Sequence, residues 1–198
     1  RVLFRSTLSA AFTPSFTSPD SSGCTPHCIT FMGSPAGAAD YQWDFGYVET
    51  GSNVSPEHCY QQGGLFGVSL TVTDAAGCTG SVSVPDYADI QASPIAIFTP
   101  SPSTVIIDAP VVQFINSSVN ADSYAWSFGD PGNSLSNEAS PSFSYPAVGC
   151  FTVTLIASNT ADCSDIAFAQ VCVEDPFMLY MPNAFTPDGD GINEVLQP

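Results

Sequence analysis

The chain has 198 residues, 44% of them apolar and 12% aromatic, which allows one or two domains with cores of their own and excludes a disordered acidic tail. It carries 19 acidic residues against two basic ones, Arg1 and Arg5, for a formal net charge of −17. That balance excludes binding to a phosphate backbone and disfavours docking on anionic lipid, and no apolar run reaches the roughly 18–20 residues of a membrane helix, so neither nucleic acid nor membrane insertion is expected. The acids are spread singly, as on a solvated face that keeps chains apart by repulsion. With no Lys, Lys–Asn isopeptide staples cannot form.

In chain order, residues 1–10 read as a linker or the end of a preceding domain. The sequence shows no signal peptide and starts at Arg rather than Met, so it is expected to be a piece of a larger or processed protein. Two units follow, 11–91 and 92–175. They align on Phe12-Thr13-Pro14 with Phe98-Thr99-Pro100, and on Ile29-Thr30-Phe31 with Val112-Gln113-Phe114. They align again on Tyr41-Gln42-Trp43-Asp44-Phe45-Gly46 with Tyr124-Ala125-Trp126-Ser127-Phe128-Gly129. Ser55 to Tyr60 matches Ser140 to Tyr145, the run from Gly64 to Val72 matches Gly149 to Ala157, and Cys78 matches Cys163. The only two Trp stand in the repeated sextet. Alternation there puts Tyr, Trp and Phe on one face of a strand, and the Gly permits a turn.

Phe66, Val68, Leu70 and Val72 share one parity, as do Phe151, Val153 and Leu155; these are the inward positions of a long strand. Asp74–Gly77 and Asn159–Asp162 read as hairpin turns into the last strand of each unit. About seven short alternating runs per unit, broken by Gly, Pro, Asn, Asp and Ser, give an all-β protein of two tandem immunoglobulin-like sandwiches. The boundary near Gln91-Ala92-Ser93-Pro94 is short, so little independent swing is expected.

Seven Cys (24, 28, 59, 78, 150, 163 and 172) point to disulfides and an oxidising compartment. Cys150 opens a long strand and Cys172 sits late in its hairpin partner, so these two are expected to bond. Weaker expectations are Cys28 with Cys78 and Cys24 with Cys59, leaving Cys163 odd. A zinc site from Cys24, His27, Cys28, His58 and Cys59 is the disfavoured alternative, because its spacing is loose.

The pattern Tyr-x-Trp-Asp-Phe-Gly, Ser-Pro-x-His-x-Tyr, then Gly-x-Phe-x-Val-x-Leu-x-Val-x-Asp-x-x-Gly resembles PKD domains over residues 11–175. Unit 1 departs from it at Tyr47. Unit 2 departs by carrying Ser127 for Asp and by lacking the His, but it keeps Gly129-Asp130. Residues 176–198 differ. The run Pro182-Asn183-Ala184-Phe185-Thr186-Pro187-Asp188-Gly189-Asp190-Gly191-Ile192-Asn193-Glu194 resembles the opening of the gliding-motility-associated C-terminal domain, the type B sorting domain of type IX secretion in Bacteroidetes. The match covers only the first strand and loop, giving an incomplete C-terminal β segment that is cut there, continues further, or is completed by another chain. This resemblance implies export to the bacterial cell surface, with the secretion machinery as a partner.

Asp188, Asp190, Asn193 and Glu194 could bind Ca²⁺, although the full EF-hand spacing is not met; an Asx-rich turn is the alternative. No nucleophile elbow, phosphate loop or HExxH is present. Asp44 as half of a glycosidase carboxylate pair is disfavoured because the second copy has Ser127. Asn53-Val54-Ser55 and Asn116-Ser117-Ser118 fit the glycosylation sequon and read as loops. No enzyme and no resident cofactor beyond calcium are expected. The expected role is a non-catalytic extracellular structural or adhesive segment, as a stalk or self-associating filament component. The alternative is an accessory or glycan-binding region of a secreted enzyme, with Tyr47, Tyr60 and Tyr87 as its exposed aromatics.

Overall fold

The structure is a computed structural model that describes residues 13–46 and 49–176. Seventeen strands and no helix lie among these residues, so none of their segments is a helix long and apolar enough to cross a membrane. Unit 1 holds β1 (Ser15–Thr17), β2 (Ser22–Cys24), β3 (His27–Thr30), β4 (Met32–Ser34), β5 (Asp40–Asp44), β6 (Thr50–Gly51), β7 (Glu57–Tyr60), β8 (Gly64–Thr73) and β9 (Thr79–Gln91). Unit 2 holds β10 (Phe98–Ser101), β11 (Thr104–Ile106), β12 (Val111–Asn116), β13 (Ser123–Ser127), β14 (Leu135–Ser136), β15 (Ser142–Ser144), β16 (Gly149–Ser158) and β17 (Ser164–Glu174).

The two units share one topology. A five-stranded sheet runs β2-β9-β8-β5-β6 in unit 1 and β11-β17-β16-β13-β14 in unit 2. In each, the first strand named runs parallel to the last strand of its unit and the other pairs are antiparallel. Facing it, unit 2 has β10-β12-β15, and unit 1 has β1 on β4 and β3 on β7. This is an all-β fold of two sandwiches.

The alternation read from the sequence places the cores. Trp43 and Trp126 lie fully buried at the fourth positions of β5 and β13. Each indole N–H donates to a loop carbonyl, that of Asn53 (2.8 Å) or of Glu138 (2.9 Å), so burial leaves no donor unpaired. Val68, Leu70 and Val72 in β8, and Val153, Leu155 and Ala157 in β16, close the cores from the neighbouring strand. Gly46 and Gly129 both have positive φ, 78° and 68°. A Cβ there would run into the backbone carbonyl of Gly67 or of Thr152, so the sextet's last residue is fixed as Gly by conformation and by contact.

One alignment shifts. Phe16, not Phe12, occupies the place of Phe98: Phe16 meets Trp43 edge-on at 5.5 Å, as Phe98 meets Trp126 at 5.0 Å. The repeated Phe-Thr-Pro triplet drew the sequence alignment four residues off, while the aromatic that fills the core decides the structural one. Phe12 and the whole of residues 177–198 lie outside the described residues, and with them the Asp188, Asp190, Asn193 and Glu194 loop.

Candidate functional site: the junction between the units

The disulfides are the first surprise. Cys150 and Cys172 stand opposite each other on the β16–β17 hairpin and are bonded. Cys28 bonds Cys59 across β3 and β7, not Cys78. Cys24 bonds Cys163, not Cys59, and so joins unit 1 to unit 2 over a sequence separation of 139. Cys78, rather than Cys163, is the odd thiol. The physical reason is strand facing. His58 and Tyr60 point into the core, so Cys59 between them points out; Cys28, next to inward Ile29, points out from the adjacent strand of the same sheet. Cys78 follows a turn on the other sheet and cannot reach Cys28. With Cys24, Cys28 and Cys59 all bonded, the zinc alternative has no thiolate left to offer.

The inter-unit bond is seated in a built junction. Cys24 ends β2, which runs parallel to the C-terminal end of β9, with Cys24 beside Gln91. The next residue, Thr25, donates its N–H to Gln91 O (2.9 Å). Its hydroxyl accepts from Ser93 N (3.0 Å), and its carbonyl accepts from the Ser93 hydroxyl. The connecting segment is thereby held to unit 1. From the other side, Asn159 Nδ2 donates to Ala92 O (2.9 Å), and Asp165 Oδ2 accepts from Ala96 N (2.8 Å). Ile95 exchanges both backbone hydrogen bonds with Val119 (2.9 and 3.0 Å). The linker's hydrogen-bonding groups are therefore shared between the units, and the disulfide adds a covalent bond between them. Thr25, Pro26, Gln62, Ser93, Asn120 and Asp165 line an open cleft beside it.

The other candidate residues are core or turn groups. His58 is only 5% exposed, stacked on Phe45 (centroids 4.5 Å, planes 8° apart) and edge-on to Tyr60. Phe143 fills the same place in unit 2, stacked on Phe128 at 4.2 Å and edge-on to Tyr145. Burial holds the His58 ring below its usual pKa, and the Glu49 carboxylate 3.4 Å away offsets only part of that. Tyr60 donates its hydroxyl to Phe45 O (3.1 Å); burial, with Asp44 adding to it, pushes that hydroxyl up to about 12. Tyr145 does the same toward Phe128 O and is likewise raised, by burial first and Asp130 second. Tyr60 is thus a buried core residue, and Tyr87 is half-buried with its ring against Phe16 and its hydroxyl 2.7 Å from Ser18 Oγ. They form no exposed row, and Tyr47 lies outside the described residues.

Asp44 is exposed and accepts from Gly46 N (2.8 Å), which makes it a turn acceptor. Asp130 is buried, which alone would raise its pKa. Ser134 N (2.7 Å), Ser134 Oγ (3.0 Å) and Gly132 N (3.0 Å) all donate to it, and the net shift is downward. Among the described residues no group of three or more His, Cys, Asp or Glu side chains is placed to hold a metal ion.

Residues 13–90 match the family model of the PKD domain, and residues 95–167 match a second model of that description. The chain belongs to the PKD family. Its two PKD domains meet at the junction just described, which falls between the two matched spans. Among solved structures, the PKD1 domain of Vibrio anguillarum Epp is 30% identical, with a TM-score of 0.37 over 42% of this chain and 96% of that one. The PKD1 domain of the Vibrio cholerae metalloprotease PrtV is 29% identical, with a TM-score of 0.36 over 41% and 98%.

Proposed function

We propose that this tandem is a non-catalytic extracellular spacer: two PKD domains locked into one stiff segment of a bacterial cell-surface protein exported by type IX secretion. The observation that carries the stiffness is the Cys24–Cys163 bond between domains, seated among hydrogen bonds that share the linker between both. Three disulfides support an oxidising, extracellular setting. The export route rests on the likeness of Pro182–Glu194 to the type B sorting domain. Small-angle scattering tests the spacer: the oxidised pair should give one narrow distribution of end-to-end distances, and Cys24→Ala with Cys163→Ala should broaden it. An equally broad distribution in the oxidised protein would refute stiffness. Export is tested by surface accumulation of the full natural protein with and without a working type IX machinery; unchanged accumulation would refute that route.

A second reading, adhesion through the second domain, is favoured by its outer sheet face. Leu135 (74% exposed), Ile156, Ile166 and Phe168 (67% exposed) stand there with Ala125, and no residue of that face between Ser164 and Cys172 on β17 is charged. The strand registers place Thr50, Thr71, Ser81, Ser83 and Gln42 at the corresponding points of the first domain. The same scaffold therefore carries a polar face once and an apolar face once. An uncharged apolar face is where two copies at −17 can approach with least repulsion. Ile166→Ser with Phe168→Ser, the residues the first domain uses, should abolish concentration-dependent self-association in sedimentation velocity. A wild-type chain that stays monomeric at high concentration would refute it.

A further inference from the structure

We infer that Cys78 is the receiving half of a second inter-domain disulfide, closed by a PKD-class domain that lies ahead of the first domain in the natural polypeptide. Cys78 and Cys163 are one position used twice. Asp74 N donates to Cys78 O (2.9 Å) and Asp74 Oδ1 accepts from Ala76 N and Cys78 N (both 2.8 Å). In the second domain, Asn159 N donates to Cys163 O (3.0 Å) and Asn159 Oδ1 accepts from Ala161 N (3.0 Å) and Cys163 N (3.1 Å). The fourth turn residue has positive φ in both, Gly77 and Asp162. The two cysteines thus leave equivalent turns at the same corner of two five-stranded sheets of the same strand order. At that corner the second domain receives a disulfide from the domain before it.

The difference between them is what covers them. Cys163 is 1% exposed with its neighbour bonded in place, whereas Cys78 is half-buried and bonded to nothing. All seven cysteines of the chain are accounted for by the three bonds and Cys78, so its partner cannot come from within these residues. The donor position is equally defined. Cys24 closes the strand that runs parallel to β9 and stands beside Gln91; its counterpart in the second domain, beside Glu174, is Ile106. A second copy of this chain has no free cysteine at the donor position, because its Cys24 is already used and its second domain carries Ile106. The donor is a sandwich domain with a cysteine where the first domain has Cys24. Two hydrogen bonds of the present junction use Asn159 and Asp165, positions held by Asp74 and Gly80 in the first domain, so the upstream junction shares the disulfide and not that pair of bonds.

Closure proceeds by thiol–disulfide exchange. The donor cysteine, carried as a mixed disulfide with a disulfide-donating thiol oxidoreductase, is attacked by the Cys78 thiolate. The new S–S bond forms, the mixed bond breaks, and the carrier leaves as its thiol, reduced by the two electrons the pair gives up. The inference rests on the extracellular spacer reading, since both need an oxidising compartment.

The test is non-reducing peptide mapping of the full natural protein after its free thiols are alkylated with iodoacetamide. The expected result is the Cys78 peptide linked to a cysteine peptide from an upstream domain, beside an intact Cys24–Cys163 link. Alkylated Cys78, or Cys78 linked to Cys78 of a second copy, with Cys24–Cys163 intact, overturns this inference and leaves the spacer standing; alkylated Cys24 and Cys163 overturn both. As a second measurement, residues 13–97 are duplicated ahead of Phe16, with Cys78→Ser in the added copy. Denatured, non-reduced protein should then titrate with no free thiol, and two free thiols would contradict the inference.

Discussion

Replacing Cys24 and Cys163 together by Ala removes the disulfide between the domains and leaves only the peptide linker, and the structure sets the size of the effect. If either domain opens while the other stays folded, the tie closes a loop of about 70 unfolded residues, from the junction to the bonded cysteine; in the chain-entropy account that restriction stabilises the domain by about 4 kcal/mol. If both open, the loop is the full separation of 139 residues, and the restriction is worth about 5 kcal/mol because the dependence is logarithmic. The hydrogen bonds from Asn159 to Ala92 and from Ala96 to Asp165 survive the substitution. At roughly 1 kcal/mol each they hold the junction only weakly once the tie is gone. Hydrogen exchange of peptides from β8 and β16, measured in increasing urea, reads the opening of each domain separately. Both opening free energies should fall by several kcal/mol. A variant whose two domains open as the wild type does would refute the reasoning, because a bond joining two domains must constrain the unfolded state of each.

Other substitutions test other parts of the account. Burial lowers the His58 pKa in the fold, so as pH falls through about 6.5 the unfolded chain binds protons more readily than the folded one, and the first domain should lose stability through that range. His58→Phe, the residue Phe143 supplies in the second domain, should flatten that dependence in urea titrations at pH 7.5 and 5; an unchanged slope would place the titration elsewhere. Gly46→Ala and Gly129→Ala each combine positive φ with a clash against a backbone carbonyl and should each cost about 2 kcal/mol or more, read as a lower urea midpoint for the domain concerned. Asp130→Ala removes the buried acceptor of three hydrogen bonds that hold a surface loop and should cost roughly 2 kcal/mol in the second domain. Because the Asp130 pKa is lowered in the fold, its stabilisation is present above the ordinary carboxylate range and is lost as pH falls through the folded value, so the variant should differ least from wild type in strong acid.

The scaffold was legible because its signals are local. Trp43 and Trp126 with their flanking aromatics alternate within five residues, and period-two alternation is a property of a strand wherever it sits. Glycine after Phe45 and Phe128 announced a turn for the same reason. The Cys150–Cys172 bond was within reach because both cysteines lie on one hairpin, where register is set by a short connection. The other two bonds were not. Cys28–Cys59 joins strands distant in sequence, and its only clue was that both residues neighbour inward aromatic or aliphatic side chains and so face outward together. Cys24–Cys163 crosses between domains, and nothing local in either domain encodes where its neighbour stands. Treating each domain as a closed unit therefore forced Cys24 toward Cys59 and left Cys163 over. His58 was hard to weigh for a related reason: its polar ring is an aromatic of the core, visible as such only once Phe143 is seen in the same stack.

The account turns on which cysteines are joined. Alkylation of the oxidised chain followed by non-reducing peptide mapping reads this directly. For the 198 residues alone, with no upstream domain attached, it should return Cys24–Cys163, Cys28–Cys59 and Cys150–Cys172, with Cys78 alone carrying the alkyl group. Links from Cys24 to Cys59 and from Cys28 to Cys78, with Cys163 alkylated, would contradict it and leave two domains free to swing.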